Sequence, residues 1–165
     1  MKTLRSLLGL ALLFVAVAHL RAEPVPAAAA PAWKLKDLNG NVVSSDQFKG
    51  KVVVLDFWAT WCPPCRAEIP GYIALQKKYG KDGLVIIGVS CDQGGNAVQT
   101  VKSFVAKQGM NYVVAMADDE IQAAFGGMDA IPTTFLIDRN GQLRDRKVGA
   151  EPEAVYEQTI LKYLK

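Results

Sequence analysis

With 165 residues the chain is long enough for one domain with a sizeable core. Its formal charge of +3, from 19 basic and 16 acidic residues, originates in the first 22 residues, which hold Lys2, Arg5 and Arg21 and no acid; the remainder is balanced, and nothing points to nucleic acid. The single histidine, His19, lies in that same segment, so the rest of the chain has no Cys–His or Ser–His–Asp machinery, and Cys62, Cys65 and Cys91 supply a structural zinc site poorly.

Residues 1–22 read as a secretory signal: a basic start through Arg5, then an apolar run to Leu20. Only 15 residues, Ser6 to Leu20, separate Arg5 from Arg21, short of the roughly 20 that span a bilayer. Cleavage after Ala22 is expected, with an uncleaved membrane anchor through residues 6–20 as the alternative. Residues 23–32 form a Pro/Ala linker without periodicity, expected to lack fixed structure. The folded domain is then 33–165, expected to fold and act as a monomer without the segment before it.

Lys34–Leu35–Lys36 and Val42–Val43 alternate as two short strands, and Asn39–Gly40 between them predicts a type I′ hairpin. Ser45 to Phe48 reads as a helical turn stopped at Gly50. Val52 to Trp58 is apolar apart from Asp56, the pattern of a strand buried on both faces. Cys62, Pro63, Pro64 and Cys65 follow and open a helix that Gly80 closes; proline is tolerated in a helix's first turn, where its missing N–H has no partner to lose. Leu84 to Ser90 is a second buried strand, and parallel pairing through the helix gives a right-handed βαβ unit. A helix from Asn96 to Gly109, a strand over Tyr112–Ala115 and a short helix capped by Asp118 come next. Thr133 to Asp138 and Gln142 to Val148 predict an antiparallel pair, and Pro152 to Leu164 a final helix. Arg144–Asp145–Arg146–Lys147 reads as the solvated face of an edge strand.

Cys62 falls at the helix N-terminus, where free N–H groups and the helix dipole favour a thiolate; Cys65 lies one turn deeper. A structural disulfide or half a zinc site is the competing reading. Asp56 in a buried strand has its carboxylate desolvated, so its proton affinity should rise and it could exchange a proton with Cys65. Glu68, one turn past Cys65, shares its helix face; an exposed helix charge is the alternative. Trp61 is expected at the surface beside the cysteines, Trp58 in the core, and Cys91 as a buried free thiol.

The segment from Asp56 to Cys65 resembles the active-site motif of thioredoxins. Pro70 stands where their helices carry a kinking proline, and Ile131–Pro132–Thr133 resembles the cis-proline loop that faces the cysteines. Glu68 with Trp–Cys–Pro–Pro–Cys is similar to the exported thiol–disulfide oxidoreductases of the ResA and TlpA type. The resemblance implies an α/β, thioredoxin-like fold: a central mixed sheet flanked by helices, an N-terminal hairpin, and an inserted helix–strand near residues 96–115. It implies a redox disulfide Cys62–Cys65, with Cys62 attacking, Cys65 resolving, Glu68 a functional acid near the cysteines, and Trp61, Pro63, Pro64, Ile131, Pro132 and Thr133 meeting the substrate. Such relatives often lack the acid that Asp56 supplies here, so either Asp56 or Glu68 could handle the Cys65 proton. No cofactor or metal is implied.

Its partners would be protein disulfides and a membrane thiol-transfer electron donor, in the bacterial periplasm. Ile131 before the proline points to a reductant, with cytochrome c apoproteins or copper-site proteins as clients. A thiol peroxidase of the same fold would need a Pro-x-x-x-Thr-x-x-Cys pattern, and Thr60–Trp61–Cys62 has the wrong spacing. A copper-binding assembly module would need a histidine ligand that the domain lacks.

Overall fold

The computed structural model describes residues 28–165; the expected signal and the first half of the linker lie outside them. Two short strands, β1 (Lys34–Lys36) and β2 (Val42–Ser44), pair antiparallel and lead through a 3₁₀ turn (Ser45–Phe48) into β3 (Val52–Trp58). Then come α1 (Pro63–Tyr79), β4 (Leu84–Ser90), α2 (Ala97–Gln108), β5 (Val113–Met116), α3 (Asp119–Ala124), β6 (Thr133–Ile137), β7 (Leu143–Val148) and α4 (Glu153–Leu164). The five-stranded sheet has the order β5-β4-β3-β6-β7, with β3, β4 and β5 parallel and β6 and β7 antiparallel. Among the described residues no helix is long and apolar enough to cross a membrane.

Every residue of β3 is buried, as its unbroken apolar run requires. Strand alternation sends its side chains to two cores. Val53, Leu55 and Phe57 pack with Ile87, Phe135, Trp33, Leu35, Ile121 and Phe125 on the hairpin side. Val52 and Val54 pack under α1 and α4, against Tyr72, Leu75, Tyr156 and Ile160. Asp56 has the parity of Val52 and Val54, so its carboxyl faces the α1/α4 layer. Opposite it on β4 stands Gly88, where a Cβ would come within 2.9 Å of the Trp58 indole nitrogen. Hydrogen in place of a side chain is what admits that ring.

Three expectations need correction. The β1–β2 connection is not a type I′ turn, which requires positive φ at both central residues: Gly40 has φ 86°, but among the described residues no non-glycine has positive φ, Asn39 included. Asp37 organises the turn instead, its Oδ1 accepting from the backbone N–H of Asn39 and Asn41, both at 2.8 Å. The α1 terminus also runs on past Gly80, itself right-handed at φ −58°, into a 3₁₀ turn that ends at left-handed Gly83.

The third correction concerns the linker, which is held from Ala28 onward. Ala30 donates its N–H to Gly141 O and Leu143 donates to Ala28 O, both at 2.9 Å, and Ala29 bridges Gln142. A backbone hydrogen bond contributes on the order of 1 kcal/mol net. A chain beginning at Trp33 should therefore fold but unfold in urea about 1–2 kcal/mol more easily than one beginning at Glu23. Equal urea midpoints would show that the 28–32 strap contributes nothing.

Candidate active site

The α1 N-terminus is built by Cys62 itself. Its backbone is extended (φ −90°, ψ 108°), its sulfur accepts the Cys65 N–H at 3.3 Å, and the two prolines occupy the first helical positions. Cys62 and Cys65 form a disulfide. Both are buried, at 3% and 2% exposure, whereas Pro63, Pro64 and Trp61 are exposed. The Ile131–Pro132 peptide is cis, and the Ile131 carbonyl oxygen stands 3.7 Å from Cys62 Sγ. Thr133 is buried, its hydroxyl donating to Ala130 O at 2.8 Å. A groove of about 530 Å³ runs beside the disulfide, lined by Trp61, Cys91, Gln93, Met128 and Ile131 among others.

Sequence reasoning missed the anchor that sets this loop. Asp92 accepts the Thr60 backbone N–H at 2.9 Å and the Thr60 and Ser90 hydroxyls at 2.5 and 2.8 Å. It ties the end of β4 to the turn that delivers Trp61 and Cys62. An acid just after a buried strand, level with a threonine two residues before the active cysteine, was the available signal.

Cys91 is a free, partly buried thiol whose pKa is pushed up to about 11, first by burial and then by Asp56 and Asp92. At neutral pH it is a thiol, not a nucleophile.

A buried polar cluster joins β3, α1, β6 and β7. Asp56 is 4% exposed, and its pKa is raised to about 7, chiefly by desolvation, then by the negative charge of Glu68; the Thr134 hydrogen bond and the Lys147 charge oppose the rise. Thr134 Oγ1 donates to Asp56 Oδ1 at 3.0 Å, which leaves the Tyr72 hydroxyl to donate to Thr134 Oγ1 at 3.2 Å. Glu68 is no exposed helix charge. It is 9% exposed, Oε1 accepts the Glu151 N–H at 3.0 Å and is ion-paired with Lys147, and Oε2 has no partner. Tyr156, whose hydroxyl also lacks a partner, lines with Glu68 a cleft of about 450 Å³ between α1 and the start of α4.

Lys147 overturns the reading of residues 144–147 as a solvated face, since its side chain is only 11% exposed. Leu136 pairs with Asp145 but Ile137 with Leu143, so Arg144 is the extra residue of a β-bulge. The bulge shifts the phase of β7. Leu143 packs on the hairpin side and Arg146 lies over the Phe135 ring there, while Lys147 turns beneath α1 and α4.

A redoxin family model matches residues 25–162. The chain is 34% identical over 131 residues to the thioredoxin-like protein YneN of Bacillus subtilis, covering 79% of this chain and 76% of that one. It is 36% identical over 130 residues to the thiol-disulfide oxidoreductase ResA of Bacillus anthracis, covering 78% and 72%. Among solved structures it superposes with a TM-score of 0.78 on a thioredoxin family thiol:disulfide interchange protein of Chlorobium tepidum, at 33% identity over 86% of this chain and 99% of that one.

Proposed function

The chain belongs to the redoxin family and is a thioredoxin-like thiol–disulfide oxidoreductase similar to ResA; from that premise we propose that it is exported and reduces disulfides of other proteins, with Cys62 attacking and Cys65 resolving. The observation that carries the assignment is the helix cap: Cys62 Sγ accepts the Cys65 N–H at the positive end of α1. A sulfur held there is stabilised as an anion by the Cys65 N–H, the first-turn donor that the two prolines leave to it, and by the helix dipole.

Reduction proceeds in two exchanges. The Cys62 thiolate attacks one sulfur of the client disulfide; that S–S bond breaks, a mixed disulfide forms, and the leaving client sulfur takes up a proton. Cys65 then gives its proton to Asp56 and attacks Cys62 Sγ. The mixed disulfide breaks, the second client sulfur leaves as a thiolate that takes up a proton from water, and the Cys62–Cys65 bond closes. A client strand lies in the groove between Trp61 and Ile131, where the Ile131 carbonyl beside Cys62 offers it a backbone acceptor. The direction, reduction, is supported by Ile131 preceding the proline. Each turnover consumes two electrons, so a dithiol donor must reopen the disulfide; a membrane thiol-transfer protein supplies them if residues 1–22 direct the domain to the periplasm.

Alkylation tests the roles of the two thiols. With limiting iodoacetamide at neutral pH, the reduced protein should be labelled first at Cys62, and Cys91 last, its thiol being held neutral. First labelling of Cys65 or Cys91 would reverse the assignment. Cys65→Ser should then trap clients as mixed disulfides at Cys62, and their identities read out the compartment and the substrate.

A further inference from the structure

One cross-strand row carries the polar cluster. Asp56 on β3 is opposite Thr134 on β6, and Thr134 is opposite Lys147 on β7. Residues in register across a sheet point to the same face, so the acid, the hydroxyl and the ammonium all face the α1/α4 layer. From α1, Glu68 and Tyr72 reach into that layer; from the segment after β7, the Glu151 backbone N–H; from α4, Tyr156, with the Lys147 ammonium 5.1 Å from its ring centroid. Glu153 and Glu151 line the cleft outside, and Tyr112 approaches Tyr72 from the β5 side. Tyr72, Tyr112 and Tyr156 are all pushed up by burial and stay neutral. The charges that bear on Asp56 are therefore two, Glu68 and Lys147.

One cation facing two buried carboxylates leaves room for one proton. On Glu68 it would strip the nearly buried ammonium of its counter-ion while Asp56 carried an unpaired charge. On Asp56 it leaves Lys147 and Glu68 paired and no charge uncompensated, because the Thr134 hydroxyl serves either form of the acid. We propose that Lys147 is a positioning residue for proton transfer: it pins Glu68 through Oε1, so that the one exchangeable proton of the buried pair sits on Asp56, and its positive charge in the same cross-strand row eases release of that proton, and so sets the pH at which Cys65 can resolve the mixed disulfide. This role rests on the reading of Asp56 as the acceptor of the Cys65 proton.

The test is the pH dependence of the resolving step in single-turnover reduction of a fluorescent disulfide, alongside a carboxyl ¹³C NMR titration of Asp56 in the oxidised protein. Lys147→Met should move both midpoints up by about one pH unit, slowing resolution about tenfold at pH values below the native midpoint, because the nearby positive charge is gone. Lys147→Arg should restore both. Native midpoints in Lys147→Met, or no rescue by Lys147→Arg, overturn the role of Lys147. If Asp56→Asn keeps the native pH profile, the acceptor reading fails, and this role with it. Should Lys147→Met not fold, Lys147→Met/Glu68→Gln carries no unpaired buried charge; Glu68→Gln alone should titrate about one pH unit below it, and equal midpoints overturn the proposal.

Discussion

Asp56→Asn should slow resolution of the mixed disulfide while making the protein more stable, and the gain should grow with pH. The folded-state pKa of Asp56 is about 7, against an ordinary 3.8. Below about pH 4 the acid is protonated in both folded and unfolded chains and costs nothing. Between 4 and 7 the unfolded chain releases its proton and the folded one keeps it, so native stability falls by about 1.4 kcal/mol per pH unit. Above 7 the penalty is complete, on the order of 4 kcal/mol. The asparagine variant should therefore match the native protein in urea near pH 4 and exceed it by about that amount at pH 8, its amide oxygen still accepting from Thr134. Kinetically, Cys62 should still attack at its native rate, and the mixed disulfide should accumulate. A variant that resolves normally, or whose stability tracks the native curve from pH 4 to 8, would remove Asp56 from proton handling.

How far this centre was legible from sequence depends on how local each signal was. The strand, the prolines and the two cysteines lie within one continuous stretch, Val52 to Cys65, and the capped helix follows from local rules; so does burial of Asp56, since a seven-residue apolar strand leaves no solvated side. Glu68 was visible as a helix neighbour of Cys65 but not as a buried group. Its partner lies 79 residues on, in a strand whose phase depends on the Arg144 bulge. Period-two counting puts Lys147 with Leu143; the bulge parts them and sends each to a different core. Register between distant strands, and a one-residue slip within one, are decided by packing and leave no mark in composition. The hairpin misreading has a different, local root: Asn–Gly is a strong turn signal, yet Asp37, two residues before it, offered the backbone N–H groups a competing acceptor.

The same geometry gives the two acids opposite effects on stability. Glu68→Gln keeps the shape of the side chain and removes the charge that compensates Lys147. Breaking a buried ion pair from one side costs on the order of 3–5 kcal/mol, because the remaining charge is left without a partner; with 11% of the Lys147 side chain still exposed, the lower end, about 3 kcal/mol, is expected. Glu68→Gln should thus destabilise the fold at neutral pH, whereas Asp56→Asn stabilises it. Its effect on proton transfer is also opposite to a simple loss of base. Glu68 is the larger of the two charges acting on Asp56 and raises its proton affinity. Without it Asp56 ionises at lower pH, so the resolving step should reach its plateau earlier in a pH titration, with Asp56 as a weaker acceptor there. Urea unfolding at pH 7.5 and single-turnover kinetics from pH 5 to 9 read both effects on one preparation. A Glu68→Gln protein as stable as the native one would mean that the ammonium finds solvent when its partner goes. A midpoint that moved upward would make Glu68, and not Asp56, the group that takes the proton from Cys65.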